Sequence, residues 1–483
     1  MKRVIVIYDD RQRPGDEIKD ITGDKSFGRI IFKRRSLQDI FEKNVSDSLE
    51  KGNISGEIKC LFNTAGVQLT EAGRRTAIVC IFSDCIVRDP SELTVILKKA
   101  CYAEDNYRVM SADKVAAIIY KDVDSFYRDE DIAVDTEGLR ERALDYDVIS
   151  SDAFYDISDK EHFLSFITGG FEARFFNSVS GDRHTVTKTS SNIAKIKAEY
   201  KFYYFLPESM RSWFVLPYDY KEDGTQASYR MQRYHMTDLA IRYVHGAIST
   251  GEFEKILDTV FFFLKNRKEE EVSWNEFYER RKELYIDKVE KRIEELKKHP
   301  DFAKVEACIK DGTDAGGIDD IVKRYEDIYD RMIGNKKDRL VKTVSHGDLC
   351  FSNILYSSDN SLMRFIDPKG AMEEKDIFSD PLYDIVKLSH SVNGRYDFMN
   401  SGLYDIRLSD DMKLKLCIDG DVREYRELFA KKIREADIDL KIVRLFECSL
   451  FLSMLPLHMD RPQKVVAFIL NAINIMDEIE HGH

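Results

Sequence analysis

No stretch of the sequence approaches the ~18 consecutive apolar residues that a bilayer crossing requires, which excludes membrane insertion by a helix of that kind. The eight cysteines (Cys60, Cys80, Cys85, Cys101, Cys308, Cys350, Cys417, Cys448) are scattered, with no CxxC pair and no zinc-ligand spacing. They read as reduced, mostly packed thiols of a cytosolic chain. Excess positive charge is also missing: Lys plus Arg is 74 against 87 for Asp plus Glu, a net −13. Such a balance argues against nucleic acid or an anionic membrane surface as the main partner, while leaving room for a local basic pocket for phosphates. Internal repeats and low-complexity segments are absent. The N-terminus, MKRVIVIYDD, carries an apolar run of only five residues, too short for a signal-peptide core and of the right period for a strand. The expectation is a soluble, cytoplasmic protein.

What is present is core-forming material. The 483 residues are 43% hydrophobic and 11% aromatic, enough for two to four domains with real cores. Residues 1–150 alternate strands and helices and predict an α/β layer domain. RVIVIY and TAIVCIF read as buried strands, SLQDIFEKNVSDSLEK from Ser36 as an amphipathic helix, and Asp89-Pro90 as a helix start. RVMSA and KVAAIIY form a strand pair around Asp113, and the polar stretch Asp135 to Asp152 reads as a linker. From about Ser151 the texture changes to an antiparallel sheet: FLSFITGGFEARFFNSV, HTVTKTS and ASYRMQRY, interrupted by one helix, KIKAEYKFYYFL. Beyond Tyr234 the pattern is helical almost to the end. Within it, a charged insert at about 266–334 opens on a Ser273–Glu276 capping box. Trp274, Phe277, Leu284, Tyr285, Val289, Ile293 and Leu296 share one face there and predict docking on the same domain.

The most informative residues lie in HGDLCFSNIL from His346 and RFIDPKG from Arg364. Asp348 is followed by Asn353 five residues on and by Asp367 fourteen further, all in strand–loop–strand contexts that would gather them at one end of a sheet. Phosphoryl transfer needs such a set: one carboxylate to orient the attacking hydroxyl, and an amide oxygen with a second carboxylate to hold hard Mg²⁺ ions on nucleotide phosphates. The Asp-x-x-x-x-Asn spacing equals that of the protein-kinase catalytic loop, with Gly347 in the place of its Arg. Upstream, Gly169 and Gly170 sit where backbone could approach a phosphate. Lys188 in HTVTK could pair with nucleotide phosphates, Glu199 could hold that lysine, and Met231 to Tyr234, including Arg233, fall where a hinge would offer backbone groups to adenine. Asp380 reads as an N-cap, Lys369 as a surface loop lysine and Cys350 as packed.

HGDLCFSNIL followed by IDPKG and SDPLYDIVKL resembles the aminoglycoside phosphotransferase and choline kinase family of small-molecule kinases. The resemblance covers roughly 155–480 and implies an α+β protein-kinase-like bilobal domain, a sheet-rich lobe at 151–234 and a helical lobe at 235–483. It implies ATP, with GTP open, and Mg²⁺ as cofactors, and a small-molecule hydroxyl acceptor. Asp348 would be the catalytic base, Asn353 and Asp367 the magnesium ligands, Gly169, Gly170, Lys188, Glu199, Met231 and Arg233 the nucleotide site, His346 a loop-bracing residue, and Asp384 a mainly structural residue in the helix that follows. Asp-Pro-Lys-Gly instead of Asp-Phe-Gly, and HGD instead of HRD, favour a small-molecule acceptor over a protein.

The first 150 residues resemble the α/β domain of nucleotidyltransferases and glycosyltransferases, without the glycine-rich LxxGxGxR signature: the equivalent place reads VIYDDRQRPGD. Asp84 reads as a strand-end turn residue, with metal ligation the alternative. Domains of this kind fused to choline-kinase-like domains suggest surface or capsular polysaccharide biosynthesis, with a sugar, an amino alcohol such as choline or a glycan precursor as acceptor. Two other readings stay open: a nucleotide-binding scaffold with negligible turnover, and a bifunctional enzyme whose first domain transfers a nucleotidyl or sugar group.

Overall fold

The computed structural model describes residues 1–62, 69, 75–133, 135–167, 177–181 (as backbone), 184–333 and 339–482. The chain divides into two compact units, Met1–Phe171 and Glu172–His483. Among the described residues no helix is long and apolar enough to cross a membrane.

The first unit is built on a six-stranded sheet in the order Gly56–Leu61, Arg3–Asp9, Thr76–Phe82, Lys114–Tyr120, Tyr107–Ser111, Asp147–Ser150. The first three strands are parallel, Lys114–Tyr120 runs against its neighbours, and the last pair is parallel again. Arg3–Asp9 and Thr76–Phe82 are covered on both faces, which is why they read as unbroken apolar runs instead of alternating ones. Two apolar clusters fill the two faces, one around Val6, Phe41 and Ile96, the other around Ile7, Phe82 and Phe126. Leu37–Gly52 starts at Ser36, whose hydroxyl accepts from the Asp39 amide in a capping box, and Pro90–Ala100 starts at Asp89.

The unit does not stop at 150. The segment expected to be a linker supplies a helix, Thr136–Arg142, and the edge strand Asp147–Ser150. Phe154–Asp156 then pairs with Cys85–Val87, and Lys160–Ile167 buries Phe163 and Phe166. That last segment, KEHFLSFI, is a helix where a strand was expected: a short apolar run fits either element, and period alone does not decide.

The second unit opens with a four-stranded antiparallel sheet, β1 (Asn177–Gly181), β2 (Thr185–Ser190), β3 (Pro217–Glu222) and β4 (Ala227–Gln232), in the order β1-β2-β4-β3. Helix α1 (Ile193–Phe205) follows β2; Asn192 caps it by accepting from the Lys195 amide. The remainder is mainly helical and shares one large core. It includes α2 (Thr250–Lys265), α3 (Lys288–Lys297) in the insert, α4 (Tyr383–Val392) and α5 (Leu440–Met454). The insert docks on its own unit, with Tyr285 stacked on Phe446 at 3.8 Å between ring centroids. Trp274, expected on the buried face, is 61% exposed and stacks on Tyr278 instead. The region expected to be helical to its end also holds a hairpin, Tyr404–Leu408 with Leu414–Ile418.

Candidate active site

The three oxygen-bearing residues of the HGD and IDP segments converge, but across two small sheets instead of one. Strand β5 (Val341–Val344) pairs with Glu269–Glu271 and Phe378–Ser379, whereas β6 (Ile354–Ser357) and β7 (Leu362–Phe365) form a hairpin alongside Thr237–Asp238. Hairpin register sets Ile354 opposite Phe365, so Asn353 and Asp367 emerge side by side at its open end. The Ile366 amide donates to the Asn353 carbonyl at 3.0 Å. Asp348 enters from the loop after β5, and Lys369 N–H donates to His346 O at 2.9 Å, tying that loop to the IDPKG segment.

Asn353 is buried and donates its amide nitrogen to Asp348 O at 2.8 Å and to Asp348 Oδ2 at 3.1 Å. This leaves its amide oxygen as the group it can offer a cation. Asp348 Oδ1 meets Lys387 Nζ of α4 at 2.9 Å. Burial pushes the Asp348 carboxyl up, but the charge and hydrogen bond of Lys387 outweigh this and hold it below the ordinary range. Lys387 is a functional residue the sequence reading missed: nothing in DIVKL distinguishes it from a solvated helix lysine until the fold brings it to Asp348.

The loop that carries Asp348 is braced from beneath. Asp384, fully buried at the start of α4, accepts from the Ser345 hydroxyl at 2.8 Å and from the amides of His346 and Gly347, each at 3.0 Å. Arg267 supplies its counter-charge at 2.9 Å. His346 Nδ1 accepts from the Asp348 amide at 3.1 Å, so Nε2 carries the proton and donates to Ile366 O at 2.9 Å. Burial lowers its pKa and keeps the ring neutral. Gly347 has φ +77, and a Cβ there would lie 2.6 Å from that of Lys369, so this turn admits glycine only.

On the sheet side, Lys188 of β2 and Glu199 of α1 are both 4% exposed and meet at 2.7 Å. The same ammonium reaches Asp367 Oδ1 at 2.8 Å, and Tyr229 O–H donates to Glu199 at 3.2 Å. Burial would lower the Lys188 pKa; Asp367 and Glu199 outweigh it and keep the lysine charged. Asp367 has φ +55 and a half-exposed side chain. A buried lysine–glutamate pair that presents its ammonium to an open carboxylate, beside a free amide oxygen, suits hard-cation and phosphate chemistry, and the oxygen donors fit Mg²⁺. Met231 lies on β4, paired with Val186 and Pro217, and the Arg233 amide donates to His184 O at 2.9 Å. A hinge contact to adenine would therefore have to come from backbone next to these groups. Gly169 and Gly170 lie outside the described residues. Asp380 does not cap α4 in the simple sense: it is buried, pairs with Arg281 at 2.7 Å and accepts from the Leu382 amide.

The first unit gathers carboxylates at the carboxyl ends of its parallel strands, but closes them. Asp84 is fully buried between Lys114 and Arg140, each at 2.6 Å, and Lys114 also meets Asp156 at 2.7 Å and Ser158 at 2.6 Å. Asp84, Cys85 and Asp156 do bring ligand atoms within 4.8 Å of one another, but the lysine ammonium already bridges the two carboxylates.

No family model matches this chain, and no curated protein matches it. Solved structures similar to it include aminoglycoside phosphotransferases. One is a thermostable mutant of such an enzyme in a ternary complex with AMP-PNP and hygromycin B: 11% identity, 65% of this chain and 93% of that one, TM-score 0.41. Another, from Streptomyces rimosus, shares 17% identity over 62% of this chain and 98% of that one, TM-score 0.35. A type VIII aminoglycoside-3'-phosphotransferase shares 12% over 57% and 87%, TM-score 0.34. Superpositions this loose leave the chemistry to be argued from the residues of this chain.

Proposed function

We propose that the second unit is a kinase-like phosphotransferase that moves the terminal phosphoryl group of ATP or GTP to a hydroxyl of a small molecule. The observation that carries this reading is the Lys188 ammonium shared between buried Glu199 and half-exposed Asp367, with Asn353 hydrogen-bonded to Asp348 at the same hairpin end. Lys188 binds the nucleotide phosphates, and Glu199 keeps it extended. Asn353 and Asp367 would hold Mg²⁺, which when bound neutralises phosphate charge.

Asp348 accepts the hydrogen bond of the acceptor hydroxyl and aims its oxygen in line. Because Lys387 holds the carboxyl ionised, Asp348 orients the hydroxyl first and takes the proton late, once the oxygen has begun to bond to phosphorus. Asp384 and neutral His346 fix the loop so that this geometry exists before substrate arrives.

The test is a thermal-shift titration with ATP, GTP and CTP, with and without Mg²⁺, on wild type and Asp367→Ala. A Mg²⁺-dependent rise with a purine nucleotide that Asp367→Ala removes supports the reading. No rise with any purine nucleotide overturns it and leaves a scaffold role.

A further inference from the structure

Lys387, the partner of Asp348, shares the surroundings of the Tyr383 phenol with two further lysines. Lys387 reaches Asp348 from α4; Lys288 of α3 donates to the Tyr383 hydroxyl at 3.2 Å; Lys369 is rooted against Gly347 by its own backbone bond to His346. Three lysines thus arrive from three separate elements. Among the described residues, neither Lys288 nor Lys369 meets a carboxylate within salt-bridge distance. One turn along α3, Lys288 is followed by Lys291 and Arg292, while Glu290 lies on another face. The carboxylates near this end of the site are Asp348 itself, Asp367, Asp397, which burial makes hard to ionise, and Asp384 and Asp380, which are already paired with Arg267 and Arg281.

The Tyr383 phenol registers the same field. Burial alone would raise its pKa, yet Lys387, Lys288 and Lys369 together bring it below the ordinary value. Deeper in, His390 is buried, among the described residues its Nε2 has no hydrogen-bond partner, and its ring stacks on Tyr396 at 4.4 Å. The Lys464 ammonium stands 5.7 Å from the Tyr396 ring centroid.

A cationic acceptor such as an amino sugar or an amino alcohol would have to bring its ammonium against this cluster. An anion would be drawn to it. On the phosphotransferase reading above, on which this rests, we propose that the acceptor is an anionic hydroxyl compound, a phosphorylated or carboxylated sugar or polyol, whose acid group is bound by Lys288 and Lys369. The lysines are left to receive that group because Lys188, from the sheet, and Asn353 and Asp367, at the hairpin end, serve the nucleotide on this reading.

Binding is measured by calorimetry with Mg·ADP saturating, so that the nucleotide phosphate positions are filled. The probes are glucose with glucose 6-phosphate, glycerol with glycerol 3-phosphate, choline and hygromycin B. Each phosphorylated probe is expected to bind about tenfold or more tightly than its neutral parent, with an advantage that falls as salt is raised. Lys288→Met with Lys369→Met should abolish that advantage, the Lys→Arg pair should retain it, and the Mg·ADP shift should stay intact in both. Choline or hygromycin B binding in place of the anions overturns the proposal. So does an anion preference that survives the double Met variant, or the absence of any binding by the phosphorylated probes. Failure of the kinase reading is separate: it shows as no Mg·ADP shift in wild type, whatever the anions do.

Discussion

Both units set acidic residues and a lysine at the ends of strands, and they do opposite things with them. In the first, Asp84 is sealed between Lys114 and Arg140 and has no exposure left. In the second, Asp367 and Asp348 keep 45% and 43% of their side-chain surface while still touching Lys188 and Lys387. A fully buried carboxylate held by two cations is a structural joint, because any ligand must displace both partners from it. A carboxylate with one cation and an open side can exchange that partner for a metal or a substrate. Exposure and the number of cations, more than the residue types, separate the two.

The comparison can be broken most severely at the open site. Asp348→Asn and Asp367→Ala should each lower phosphoryl transfer by roughly a thousandfold while the melting midpoint moves little, measured by ADP release and calorimetry. Asp84→Ala should do the reverse, taking from buried Arg140 its close carboxylate and leaving Lys114 with Asp156 alone. It should cost about 3–5 kcal/mol in denaturant unfolding without changing nucleotide affinity.

A third carboxylate sharpens the contrast, since Asp397 is nearly as buried as Asp84 but, among the described residues, has no cation salt-bridged to it. Burial raises its carboxyl to about 7, and one of its oxygens has no hydrogen-bond partner. Between pH 4 and 7 the native state therefore binds the proton that the unfolded chain has released, so stability should fall as pH rises through that window. The fall amounts to a few kcal/mol at most, and Asp397→Asn should flatten it in urea titrations at fixed pH. The smallest effect is expected at Lys387. Its replacement by Met removes the charge that depresses Asp348, so the acid limb of the pH–rate profile should move to higher pH.

How far these features could be read in the sequence depended on how local they are. His346, Asp348, Asn353 and Asp367 lie within 22 residues and are joined by one hairpin, so spacing alone brought them together. Lys188 and Glu199 were legible for a similar reason, a strand followed directly by a helix. The partners that tune the site were not. Arg267 reaches Asp384 across 117 residues and Lys387 reaches Asp348 across 39, and neither distance leaves a periodic trace. The domain boundary moved for the same reason: Phe154–Asp156 belongs to the first unit by pairing with Cys85–Val87, a contact no composition shift announces. The hairpin at 404–418 was a failure of another kind, since Tyr404, Ile406, Leu414 and Leu416 do alternate, but within a run whose overall composition suits helices.

Gly370 has a consequence for control. Its φ is +89, and a Cβ there would stand 2.9 Å from the backbone of Ala198 and Glu199, while the next residue's amide, Ala371 N–H, donates to Ala198 O at 3.0 Å. The loop that bears Asp367 is thereby stitched to the helix that bears Glu199. In a kinase switched by swinging that helix outward, the lysine–glutamate pair opens while the metal loop stays behind. Here an outward swing of the helix would have to carry the loop of Asp367 with it or break the Ala371–Ala198 bond.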